Sequence, residues 1–127
     1  MSGFDPKNSY SPLAASPRAW ADIEAFYVSL TEDAFDQQPM VELVRHIRLA
    51  YAEGRFHAIT SMHTLVVSVN NPIERDRENL RIDYLPGDQA WTFSYFPKPF
   101  KPAEFTRRYA APLGIEKFDR FIRNIRW

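Results

Sequence analysis

Trp91, Phe93 and Tyr95 alternate with Thr92 and Ser94, directly after the stretch Leu85-Pro86-Gly87-Asp88-Gln89. Rings at every second position have the period of a half-buried β-strand, because successive side chains leave a strand on opposite faces. The Pro-Gly-Asp cluster is turn chemistry, so the rings follow a tight connection and line one side of a sheet. This stretch marks the middle of a core.

Two more period-two stretches lie upstream. Leu80, Ile82 and Tyr84 alternate with Arg81 and Asp83. Residues 57–69 read as one long strand. His57, Ile59, Ser61, His63, Leu65, Val67 and Val69 fall on one face, with Met62, Thr64, Val66 and Ser68 opposite, and Asn70-Asn71-Pro72 ends it. Three sequential strands with short links predict an antiparallel meander. Residues 74–78 alternate in charge and read as a hydrated loop. Where the second face of the sheet meets water, Thr64, Ser68, Arg81, Asp83, Thr92 and Ser94 form a polar surface, and Arg81 with Asp83 suits a cross-strand ion pair.

Helical periods flank the strands. Trp20, Ile23, Tyr27 and Leu30 recur at three- and four-residue steps, after Ser16 and Pro17, a pair suited to the N-cap and first helical position. Met40, Leu43, Val44, Ile47 and Tyr51 share a second apolar stripe that begins at Pro39 and is closed by Gly54. Residues 103–109 predict a short helix, with Glu104 in its first turn and Arg107 and Arg108 near its end. After Pro112 and Gly114 a last helix buries Ile115, Phe118, Ile122 and Ile125. The expected fold is α+β: two N-terminal helices, a three-stranded antiparallel meander and two C-terminal helices packed on one sheet face. The 127 residues suit a single domain over 17–127. Residues 1–16 carry two prolines and four serines and read as a flexible arm.

Several chemistries find no support. With no cysteine there is no disulfide or thiolate. His57 and His63 on one strand would stand about 20 Å apart, and Arg45 and Arg48 flank His46, so no metal site is expected. The four glycines are scattered at 3, 54, 87 and 114 and build no phosphate loop, and no cofactor is expected. Ser61 and Ser68 near His63 lack an elbow motif and an orienting acid. The chain shows neither a secretion signal nor a spanning apolar stretch and reads as cytoplasmic, away from membranes.

Net charge is zero but polarised, at −4 over residues 1–40 and +4 over residues 100–127. The basic end coincides with rings and prolines: Tyr95, Phe96 and Phe100 lie in a proline-punctuated segment, and Trp127 ends the sequence. Rings held by proline lose little entropy when covered, which suits them to anchor an interface. The leading expectation is a small non-catalytic protein–protein interaction module, of inhibitor, immunity or antitoxin-like, or adaptor type. Tyr95, Phe96, Phe100 and Trp127 form its binding surface, and Arg120 and Arg123 steer an acidic protein partner. A second expectation is a small enzyme or ligand-binding domain with a pocket between sheet and helices, where His63, Asp83 and Tyr84 are the polar groups. A third is nucleic-acid binding through Arg120, Arg123 and Arg126 with Trp127 stacking, against which the zero net charge weighs. Oligomeric state is left open by the sequence.

Overall fold

The computed structural model describes residues 14–71, 73–74, 78–97 and 102–127. In chain order the elements are β1 (Ala14–Ala15), α1 (Trp20–Glu32), α2 (Gln38–Ala50), β2 (His57–Ser61), β3 (Thr64–Ser68), β4 (Ile73–Glu74), β5 (Asn79–Leu85), β6 (Ala90–Phe96), β7 (Phe105–Ala110) and α3 (Gly114–Ile125). A 3-10 turn, Ala111–Leu113, leads into α3. Strands β2-β3-β5-β6-β7 form one antiparallel meander sheet in that order, and β1 pairs separately with β4. The helices cover one sheet face, so the fold is a single α+β domain.

The core begins where the sequence places it. Trp91, Phe93 and Tyr95 of β6 sit opposite Tyr84, Ile82 and Leu80 of β5, and all six are buried. Against them pack Ile23 and Tyr27 from α1, Met40, Leu43, Val44 and Ile47 from α2, and Phe118 and Ile122 from α3. Each such side chain taken fully out of water contributes about 1.5–3 kcal/mol. The Tyr27 hydroxyl donates to the His63 carbonyl at 3.0 Å, and burial pushes its ionisation far above the ordinary tyrosine value.

Three expectations are corrected. First, residues 57–69 form a hairpin rather than one strand. Ser61 pairs with Thr64, and Met62 takes the left-handed φ of 54° that the two-residue turn requires. Second, residues 105–110 form strand β7 rather than a helix. Phe105, Arg107 and Tyr109 repeat every second residue, and Tyr95, Phe93 and Trp91 stand opposite them. Cross-strand contact such as Phe93 on Tyr109, with centroids 5.3 Å apart, outweighs the favourable helical placement of Glu104 and the arginines. The sheet therefore has five strands instead of three, and one C-terminal helix instead of two.

Third, both N-terminal helices have different bounds. Helix α1 starts at Trp20, because the Arg18 amide donates to the Ala58 carbonyl at 2.9 Å and holds the preceding residues against β2. Helix α2 ends at Ala50, where Tyr51 becomes extended, and Gly54 serves the turn beyond at φ 83°. Of the expected N-terminal arm, Ala14 and Ala15 pair with Glu74 and Ile73. Residues 1–13 lie outside the described residues.

Candidate interaction surface

Helix α3 is fixed from two sides. On the sheet side, the Trp91 indole donates to the Ala111 carbonyl at 2.9 Å. Gly114 lies so close above that ring that an added Cβ would come within 2.4 Å of it. On the α2 side, His46 Nε2 meets both Asp119 carboxylate oxygens at 2.9 and 3.0 Å, and the Tyr51 hydroxyl donates to the same carboxylate at 2.5 Å. Burial, then the Asp119 hydrogen bond, push the Tyr51 hydroxyl up to about 12. Arg126 is left-handed at φ 62°, which folds Trp127 back so that its amide donates to the Ile122 carbonyl at 3.3 Å. Arg55 donates twice to the Trp127 main-chain oxygen, at 3.0 and 3.2 Å.

These anchors hold α3 alongside β7 and leave a cleft of about 340 Å³ between them. Its floor is aromatic. Phe121 lies edge-on to Tyr95 and Phe105, at centroid distances of 5.2 and 6.0 Å. Its walls are cationic, with Arg107 from β7 and Lys117 and Arg120 from α3, against one carboxylate, Glu104. The cations rest on the rings: the Arg107 guanidinium lies 5.3 Å from the Phe105 centroid and the Lys117 ammonium 5.3 Å from that of Tyr109. Arg107, Lys117 and Arg120 have no ion-pair partner among the described residues, whereas Arg108, on the far face, pairs with Asp88 at 3.0 Å.

The backbone of β7 adds a second feature. Ala111 N donates to Gln89 O at 3.0 Å. Ladder bonds of an antiparallel pair recur at alternate residues, so Tyr109, Arg107 and Phe105 turn their amides and carbonyls towards β6. Thr106, Arg108 and Ala110 turn theirs outward. The Thr106 carbonyl meets the Arg107 guanidinium at 3.4 Å, as an outward carbonyl does. β7 is an edge strand of the sheet.

The residues expected at an interface are divided among several places. Tyr95 is buried and donates from its hydroxyl to Glu78. Burial, followed by Glu78 and then Glu104, pushes its ionisation far up. It thus forms the back wall of the cleft. Phe96, next in the strand, points to the opposite face, where Arg81 lies 4.7 Å from its centroid. The two rings therefore do not form one continuous patch on a single sheet face. Phe100 lies outside the described residues. Trp127 is half-buried against Phe121, Tyr95 and Phe56. Arg120 lines the cleft, and Arg123 is exposed on α3 beyond it. Sequence reasoning missed Phe105, Arg107, Tyr109, Lys117 and Phe121. A period-two reading of residues 105–109 would have found three of them.

The residues of the ligand-pocket reading do not converge. His63 is exposed in the β2–β3 turn beside Phe35, Asp83 is on the far sheet face, and Tyr84 is in the core against Trp91. The space between sheet and helices is filled by Tyr27, Trp91, Phe93 and Phe118. The far face carries the expected polar surface only in part: Ser68 is buried and donates to the Glu78 carbonyl, and Ile59, Val66 and Ile73 share the face with the polar groups. A groove of about 280 Å³ there includes Thr64, Arg81, Asp83, Ser94 and Phe96, and Thr64 donates to Asp83 at 2.5 Å. Among the described residues, no three His, Asp or Glu side chains are grouped to hold a metal ion, and no helix is long and apolar enough to cross a membrane. No protein-family model, no curated protein and no solved structure matches this chain.

Proposed function

We propose that this protein is a small non-catalytic interaction module that binds an acidic protein through the cleft between β7 and α3. One observation carries the reading: Arg107, Lys117 and Arg120 converge on an aromatic floor with no ion-pair partner among the described residues. Cations resting on rings keep part of their charge available while their stems are already ordered, so covering them costs little further entropy. Arginine and tyrosine or phenylalanine in a recess are the composition of an interface hot spot.

Among the described residues, no acidic side chain of residues 14–40 pairs with this end. Glu24 is the acidic side chain of α1 engaged in ion pairs, and its partners are Arg45 and Arg48 of α2, at 3.1 and 3.0 Å. Burial pushes the Glu24 carboxyl up, but hydrogen bonds from Arg48 and Arg45 more than offset this and leave it below the ordinary value. A protein ligand is favoured over nucleic acid because the cleft contains Glu104 and excludes Arg123, which breaks the basic stripe of the helix. An inhibitor, immunity or antitoxin-like, or adaptor role is each compatible with a preformed site of this kind.

The test is affinity capture of protein with nuclease present, comparing the native chain with a double variant, Arg107→Glu and Arg120→Glu. The expected result is one captured protein, retained at moderate salt and weakened as ionic strength rises, and lost from the double variant. Equal capture by both chains sinks the reading.

A further inference from the structure

The cleft has a direction, because one of its walls is an open sheet edge. We infer that the partner enters as an extended acidic segment that adds alongside β7, its alternate side chains filling the cleft and its backbone bonding to Thr106, Arg108 and Ala110. The inference rests on the proposed acidic-partner reading and specifies the form in which the acid is presented.

Three observations converge on it. The outward backbone groups of β7 offer the hydrogen-bond pattern that an added strand requires, with Thr106, Arg108 and Ala110 exposed along its edge. The helix-side positions Phe105, Arg107 and Tyr109 recur at two-residue steps, so an added strand places its own alternate residues beside them, about 4.8 Å away. Helix α3 forms the opposite wall of the same cleft through Lys117, Arg120 and Phe121. A segment lying there brings an apolar side chain over Phe105 and Phe121, and acidic side chains beside Arg107 and near Lys117 and Arg120. The pattern selected is apolar-x-acidic-x-acidic.

Charged residues on an edge strand also discourage pairing between copies. Both roles follow from the same charges, since cations that repel a second copy of β7 attract an acidic strand. This makes an external acidic segment the occupant, rather than a second copy of the chain.

The probe is a synthetic peptide of roughly ten residues, near the upper end of common strand lengths, alternating Glu with Thr around one Leu. Its Lys-for-Glu counterpart serves as the control. Amide hydrogen exchange on the full chain should show protection of Thr106, Arg108 and Ala110 when the acidic peptide is added, and none with the basic one. Arg108→Pro removes an outward amide and no ladder bond to β6, so it should weaken peptide binding about tenfold more than Arg108→Ala.

Equal weakening by the two Arg108 variants, with no new amide protection, overturns strand addition and leaves the acidic-cleft reading standing. Protection that appears with rising protein concentration and no peptide makes a second copy the occupant, which also overturns the inference. Absence of saturable peptide binding overturns it as well. If the Arg107→Glu, Arg120→Glu chain captures protein as well as the native chain, the reading underneath fails too.

Discussion

Along β2, one edge of the sheet meets the chain's own backbone and side chains. The Arg18 amide donates to the Ala58 carbonyl at 2.9 Å, the Arg18 guanidinium donates to Thr60 Oγ1 at 2.7 Å, and the Trp20 indole donates to the Phe56 carbonyl at 3.3 Å. Along β7, the opposite edge, the outward Thr106 carbonyl meets the guanidinium of the next residue, and the edge is lined by Arg107 and Arg108. An unpaired edge is a template for further strands, and proteins either cover it or charge it. Here the two devices stand at opposite sides of one sheet. At the covered edge the Ala58 carbonyl and the Thr60 hydroxyl are engaged within the chain, whereas the charged edge keeps outward backbone groups that, on the proposed reading, admit an acidic strand and repel a second copy.

The largest test of this contrast removes the anchor that makes a cleft of the β7 edge. Trp91→Ala deletes a ring that is 1 % exposed, together with its hydrogen bond to Ala111, and should cost about 3–5 kcal/mol by urea denaturation. With α3 unseated, acidic-peptide binding should disappear even at temperatures where the sheet survives. Retained binding would mean that α3 is no wall of the site. Gly114→Ala attacks the same contact from the other side by forcing a methyl into the Trp91 ring, and overpacking of this kind costs about 1–3 kcal/mol.

Tyr51 tests the α2 side of the anchor. Tyr51→Phe removes a hydrogen bond to a carboxylate and should cost about 1–2 kcal/mol near neutral pH. In the folded chain this hydroxyl is pushed up to about 12, from an ordinary value of 10.0. The folded state therefore holds its proton more tightly than the unfolded state does. The associated stability is complete below pH 10 and is lost as pH rises towards 12. The expected outcome is an alkaline decline in melting temperature that is smaller in Tyr51→Phe. Superimposable curves would detach Tyr51 from the anchor.

The same contrasts explain what could be read in the sequence. Strand β6 and the stripe of α2 were legible because each repeats a period over more than five residues with its turn residues in place. β7 was not, since Glu104 ahead of Arg107 and Arg108 mimics a helix with well-placed charges, and the pairing that decides the matter comes from β6. That misreading also hid the cleft. Arg120 was visible as a basic residue, but its meeting with Arg107 across β7 and α3 depends on the strand. The His46–Asp119–Tyr51 cluster joins α2 to α3 over separations of 73 and 68 residues, which no local pattern reports.

A moderate effect is expected from opening the covered edge. Arg18→Pro removes the amide that bonds to Ala58 and the guanidinium that reaches Thr60, a loss of about 1 kcal/mol. The more telling readout is association. Unlike β7, strand β2 carries no arginine or lysine, only His57, Ala58, Ile59, Thr60 and Ser61. Once uncovered, it should let copies pair, seen as concentration-dependent mass in sedimentation. A variant that stays monomeric to high concentration would show that the Arg18 segment is not what guards that edge.

The smallest effect concerns the turn that creates β2 and β3 from one apparent strand. Met62 is 84 % exposed and holds φ 54°, so its side chain gains little from packing while its Cβ sits in a region disfavoured by about 1–2 kcal/mol. Glycine removes that strain but adds freedom to the unfolded chain, and the two terms partly cancel. Met62→Gly should therefore raise stability by up to about 1 kcal/mol while leaving both edges, and the binding of the acidic peptide, unchanged. A loss of stability would mean that the thioether contributes to the hairpin after all. Altered peptide binding would couple the turn to β7 across the whole sheet and remove the independence of the two edges on which the comparison rests.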